Sequence, residues 1–234
     1  MGNSDSKKTG KLGTQLRGKL GDAYGHRGHK KSNIYYAYSP RTNRDWVLGD
    51  NLHWDHFVLC EADPTISSVD YQPHPISVRD SESNLISVNL AAVITLVDGT
   101  VIWRYLSTQK RDAKSLVGAR DLLLSAAKNE GASLQCWSRE DIDSKLQTRA
   151  NWTRILAWMA SARNFSLSSF SVGIAALIDA RKSATLQDVL LLGNRESSPL
   201  YAAAAFRGIQ RGIYISDLDM KVLSLKTIIA SQDA

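Results

Sequence analysis

Apolar positions along the chain change period from segment to segment. Between residues 51 and 62, Leu52, His56, Leu59 and Ala62 share one helical stripe, and Asp63-Pro64 ends it, so a helix is expected there. Residues 66–79 read as extended, with Ile66, Val69 and Tyr71 before Gln72-Pro73, and Ile76 and Val78 after it. Leu85 to Val97 is a long run rich in Val and Ile, the composition of a buried central strand. Val97-Asp98-Gly99-Thr100 predicts a type I′ hairpin turn, because Asp-Gly tolerates the positive φ angles such a turn needs. Val101 to Thr108 is then the returning strand. A helix is expected over residues 112–130, with Leu116, Ala119, Leu123 and Ala126 on one face and Gly131 at its C-terminal end. Leu134 to Trp137 reads as a further short strand. This order predicts an α/β fold with one mixed sheet flanked by helices.

Past residue 137 the pattern turns helical. Ser138 and Asp141 have the spacing of a capping box, and Trp152, Ile155, Leu156 and Met159 follow at helical spacing as core positions. Three helices are expected at 166–182, 186–192 and 199–210. Pro199 sits in the first turn of the third, and Gly212 ends it. Ile213-Tyr214-Ile215 and Val222 to Ile229 read as strands. Three helices followed by strands suggest a winged-helix domain over residues 164–234, joined near residue 163 to an α/β domain over 32–163.

Charge adds a third region. Lys7, Lys8, Lys11, Arg17, Lys19, Arg27, Lys30 and Lys31 face only Asp5 and Asp22 within residues 1–31, so this segment carries the whole net charge of +6. It also holds seven of the fifteen glycines and no apolar period, which reads as a flexible basic arm. One reading is a phosphate-binding arm for nucleic acid, the other a solubilising tail. The 43% apolar content excludes a wholly disordered chain, and no apolar run reaches the roughly 20 residues of a spanning helix. No membrane contact is expected. The polar N-terminus lacks the apolar core of a signal peptide. Cys60 and Cys136 have no CxxC partner, so the expected compartment is reducing cytoplasm.

Local signatures of nucleotide hydrolysis, dinucleotide binding, zinc proteolysis and α/β-hydrolase chemistry are missing. His53 and His56 flank Asp55 at i, i+3, a spacing that suits either a shared metal or an ordinary helix face, and no third ligand is evident.

Residues 50–137 resemble the nuclease domain of the TnsA family, transposon-encoded endonucleases of the restriction-endonuclease-like (PD-(D/E)xK) superfamily. The matching features are Leu59-x-Glu61-Ala62-Asp63-Pro64, the phrase Val69-Asp70-Tyr71-Gln72-Pro73, and the long strand into Asp98-Gly99. The returning strand near Lys110, the helix over 112–130, the Trp137 to Ile142 stretch and Asn151 before a helix match as well. Ala202 to Gly212, Ile213 to Asp217 and Leu223 to Ile228 resemble the same family's winged helix. The resemblance implies a restriction-endonuclease-like sheet, DNA as a partner, and a transposase and an AAA+ ATPase as protein partners. It also implies an acidic cluster holding Mg²⁺. Counting from the matched phrases, the helix Glu falls on His53 and the strand Asp on Ala91, with Asn89 two residues away. The terminal motif falls on Thr108-Gln109-Lys110, or on Tyr105 to Ser107, and only Lys110 keeps a catalytic residue type. No metal, and no catalytic residue, is therefore expected. The expected function is that of a catalytically degenerate DNA-binding subunit of a transposition machinery. The alternatives are an endonuclease whose ligands have migrated, with Mg²⁺ as cofactor, and a pure protein adaptor.

In the winged helix, Arg207 and Arg211 stand at i, i+4 on the third helix, where a recognition helix contacts bases and phosphates. They equally suit a solvated face or a protein contact. For the arm, deleting residues 1–31 is expected to leave a folded protein with weaker DNA binding. Each lost phosphate contact takes about 0.9 from the slope of log K against log salt. A titration of duplex binding against NaCl checks this, and an unchanged slope would make the arm a spectator.

Overall fold

The computed structural model describes residues 33–79, 85–107 and 113–232, without the side chains of 113–119. The arm, Thr108 and Lys110 lie outside the described residues. The first elements are a hairpin, β1 (Tyr35–Ser39) and β2 (Arg44–Leu48), followed by helix α1 (Asn51–Ala62). Asp50 caps α1 by accepting the His53 backbone N–H at 2.8 Å, and Asp63 ends it in extended conformation before Pro64. Residues 56–62 are all buried, so the second half of α1 is covered on every side. The expected single stripe is too narrow, because α1 is wedged between a sheet and a later helix.

That sheet has four strands in the order β3 (Ile66–Asp70), β6 (Ala92–Leu96), β7 (Val101–Leu106) and β8 (Ala132–Trp137). The first three are antiparallel, and β8 lies parallel to β7, reached through α2 (Ala113–Asn129). The architecture is α/β, with a mixed sheet flanked by helices. Ile94 and Ile102 face α1, whereas Trp103 faces α2 with Leu123 and Ala127.

The long strand expected over 85–97 is two strands. Leu85–Val88 is β5, which pairs with β4 (Ile76–Arg79) in a separate ribbon, and the chain re-enters the main sheet at Ala92. At the break Leu90 packs toward Trp103 and Leu123, and Ala91 packs on the other side with Leu59 and Leu106. The turn at 97–99 also differs from the type I′ expectation. Leu96 and Thr100 close a three-residue loop in which only Gly99 has positive φ, at 86°, the type I turn plus left-handed glycine of a longer hairpin.

The second half contains α3 (Arg139–Asp143), with the capping box of Ser138 and Asp141, and α4 (Leu146–Ser161). Next come α5 (Ser168–Arg181), β9 (Ser183–Thr185), α6 (Leu186–Leu190), α7 (Ser198–Gln210), β10 (Tyr214–Ser216) and β11 (Ile228–Ser231). The last three strands form an antiparallel sheet in the order β10-β11-β9. The strand expected over 222–229 is confined to its end, because residues 217–227 are tied elsewhere. The Asn151 side-chain amide donates to the Leu218 and Lys221 carbonyls, each at 2.7 Å, and its oxygen accepts the Leu223 N–H at 2.8 Å. One buried cluster runs across residue 163, joining Trp152, Ile155 and Met159 of α4 to Ile174 of α5 and Phe206 of α7.

Glu61 sits at the meeting point of these layers, with 0% exposure. Its carboxylate accepts from Ser39 Oγ at 2.7 Å, Tyr71 Oη at 2.8 Å, Gln210 Nε2 at 2.8 Å and the Arg41 N–H at 3.3 Å. Glu61→Gln keeps the shape but turns an amide NH₂ against donors, and is expected to cost about 1–3 kcal/mol. Glu61→Ala strands the same donors and is expected to cost about 3–5 kcal/mol. Urea unfolding of both variants measures the order and size of these losses.

Candidate functional site

The site the resemblance points to lies on the α1 face of the sheet, where α1, the start of β6 and the end of β7 converge. His53 is in the first turn of α1, half exposed, with Nδ1 2.8 Å from Asp50 Oδ1. Burial pushes the Asp50 carboxyl up, but hydrogen bonds and charge from His53 outweigh it and hold the group below the usual carboxylate range. His53 therefore serves the helix cap. Ala91 is buried with Leu59, Leu106 and Ile142, and Leu52 and Trp137 pack against them. No oxygen ligand lies in that cluster, and among the described residues no three His, Cys, Asp or Glu side chains come together. These residues do not fit a hard dication, which takes carboxylate and water oxygens.

The register of β7 shows what stands beside Ala91. The Ala91 N–H donates to the Arg104 carbonyl at 2.8 Å, and Arg104 pairs with Ala92. On β7 the side chains that face α1 are Ile102, Arg104 and Leu106, whereas Tyr105 faces α2. Arg104 is 5% exposed, and its guanidinium carbon lies 3.8 Å from the centroid of the Trp137 ring. Lys145 Nζ lies 5.0 Å from the same ring. Burial lowers the Arg104 guanidinium from its ordinary value. A fixed positive charge thus occupies the sheet face on which the resemblance implies a cation-binding cluster of acids.

Above it on α1 are His56 and Cys60, both buried, with Nε2 and Sγ 3.3 Å apart. Burial, then the positive charge of Arg104, hold the His56 imidazole well below its ordinary value. Burial pushes the Cys60 thiol up to about 12. A neutral imidazole and a neutral thiol make no nucleophile pair, and His56 packs edge-on against Trp137 at 5.7 Å. His56 and His53 do not share a ligand site, because each is engaged elsewhere. Asp55 is held by Arg139 and Arg149, each at 2.7 Å, and so locks α1 to α3 and α4.

Arg207 and Arg211 separate at the end of α7. Arg207 is half buried and hydrogen-bonded to Tyr38 on β1, and burial together with Arg211 lowers its guanidinium. Arg211 is exposed just past the helix. Residues 202–206 and 208–210 of α7 are all buried. The helix is covered by α5 and α6 on one side and by α4 and the end of α1 on the other. The residues that sequence reasoning missed are Arg104 and Glu61. An Arg at the inward position of the alternation Ile102-Arg104-Leu106 was the available signal for the first.

No family model matches this chain, and no curated protein matches it.

The buried neutral His56 makes stability depend on pH. The unfolded chain binds a proton near pH 6.5 that the folded state refuses, so stability is complete above 6.5 and falls as pH drops below it. The expected slope is about 1.4 kcal/mol per pH unit from this one group. His56→Leu should remove that increment, as measured by urea unfolding from pH 7 to pH 5, and equal slopes in both proteins would contradict the assignment.

Proposed function

We propose that this chain is a catalytically inactive, DNA-binding subunit of a transposition or integration machinery, built on a restriction-endonuclease-like domain and a winged helix of the TnsA kind. The single observation that carries the reading is the order of α1, three antiparallel strands, α2 and a parallel fourth strand, with an apolar cluster and Arg104 at the place of the acidic site. That order supports a nuclease ancestry, and the residues at the centre support loss of the metal chemistry. The sequence helix, strand, helix, helix, strand, strand over residues 168–231, with the last strand in the middle of its sheet, supports the winged-helix reading. DNA contact in this reading rests on the basic arm, and Arg211 is its exposed cation at the end of α7.

A protein-docking role is the second reading, and one observation favours it. The winged-helix-like part buries α7, the helix that would enter a groove, yet exposes Ile213, Ile215, Met220 and Val222. Exposed apolar residues beside a short sheet suit a protein surface better than a phosphate backbone. A transposase or an AAA+ ATPase is the partner this reading implies.

The expected outcome of incubating the full chain with supercoiled plasmid in Mg²⁺ or Mn²⁺ is no nicking, together with duplex binding that weakens as salt rises. Metal-dependent nicking that disappears when Asp50 or Asp55 is changed to Asn would sink the inactive reading. Salt-insensitive or absent DNA binding would leave only the docking reading.

A further inference from the structure

Arg104 carries an interaction that the proposed function leaves unused. Its side chain lies along the α1 face from β7 toward the edge strand β8, where Nη2 donates to Gln135 Oε1 at 2.8 Å. Nε and Nη1 have no hydrogen-bond partner, although the residue is buried. No ion pair joins Arg104 to any carboxylate of the described residues. Asp63 acts on it only from a distance, and the Asp63 carboxylate is already engaged by the Thr65 N–H and hydroxyl. His56 and Cys60 are neutral and offer no counter-charge.

A buried cation with unpaired donors and no counter-ion is strongly disfavoured, unless an anion completes it. The planar N–H groups of a guanidinium match the oxygens of an oxyanion. The open side of this face is the sheet edge. Ser133 and Gln135 pair with Ile102 and Arg104 on the same face, and both are exposed. We propose that Arg104 is the receptor of a single phosphate oxyanion, which enters beside Gln135 at the β8 edge and is covered by Trp137. Unpaired donors on two nitrogens of one planar group favour an anion with several oxygens over chloride. The inference does not rest on the transposition reading, since it follows from the unpaired guanidinium alone.

The test is thermal unfolding of the full chain in sodium phosphate and in sodium chloride at equal ionic strength. The expected result is a saturable rise in Tm with phosphate that chloride does not give. Arg104→Met should abolish that rise, and should melt in chloride at or above the parent, because the uncompensated charge is gone. Gln135→Glu places a carboxylate against Nη2. It should raise Tm in chloride and blunt the phosphate response, and it decides the matter even if Arg104→Met does not fold. A short duplex in place of inorganic phosphate separates the sources. A rise with inorganic phosphate that depends on Arg104 identifies a free anion, a rise seen only with the duplex and lost in Arg104→Met identifies a backbone phosphate, and a duplex-only rise that Arg104→Met keeps belongs to the arm and overturns the proposal. A phosphate effect that is linear and equal in all three proteins is a general salt effect and overturns the proposal. So does the lack of any rise from either source.

Discussion

A single carboxylate, that of Glu61, ties three other segments of this chain to α1 at one point. Its donors come from the end of β1, the β1–β2 turn, the segment after β3 and the end of α7. Arg41 completes the junction from the other side, donating to the carbonyls of Cys60, Glu61 and Asp63 at the end of α1 and to that of Ile66 at the start of β3. The last carbonyls of a helix carry partial negative charge and have no partner within the helix, so a guanidinium there satisfies both needs. The pair works by division of labour. Arg41 ends the helix, and Glu61 reaches across to the C-terminal part through Gln210, whose amide also donates to the Glu61 carbonyl at 3.1 Å.

This junction constrains what the C-terminal part can do. Holding Gln210 and Arg207 against α1 and β1 places α7 in the interior, where Phe206 joins the same cluster as Phe57 and Trp152. A helix packed from both sides keeps its register and loses its free face. The exposed apolar residues of the C-terminal part lie instead on α5 (Val172), after α6 (Leu191) and on β10 and the segment after it (Ile213, Ile215, Met220, Val222). The packing that fixes α7 is therefore the reason the available surface of this part lies on elements other than α7.

Local signals in the sequence were enough for the helices and their ends. Asp63-Pro64, Gly131 and the Ser138–Asp141 pair act within a few residues, and the structure uses each as the spacing suggests. The overall α/β order was legible for the same reason. The break in the run from Leu85 to Val97 was not, since no Gly or Pro marks it. The change of sheet is set by pairing of β5 with β4 and of β6 with β3, partners that periodicity does not name. The hairpin at Asp98-Gly99 was placed correctly and typed wrongly, because the register of β6 on β7 sets the loop length. At the candidate site Ala91 and His53, the positions the resemblance singles out, are read directly from the chain as non-carboxylates. The burial of Arg104 depends on α1 lying over it, and the Glu61–Gln210 contact spans 149 positions. Pair contacts at that separation have no local trace.

The electrostatic sign of the sheet face bears on what that face can hold. A dication needs several oxygens and a net negative surrounding, whereas this face offers aliphatic carbon from Leu59, Leu106 and Ile142 next to a guanidinium. An acid introduced on this face within reach of Arg104 would form an ion pair that satisfies both groups without a metal. Metal binding would need several acids together, and it would have to displace the apolar cluster that packs α3 against α1. Exclusion of a dication and packing of the fold are one structural fact, because the apolar atoms that leave no room for oxygen ligands are the atoms that pack α3 against α1.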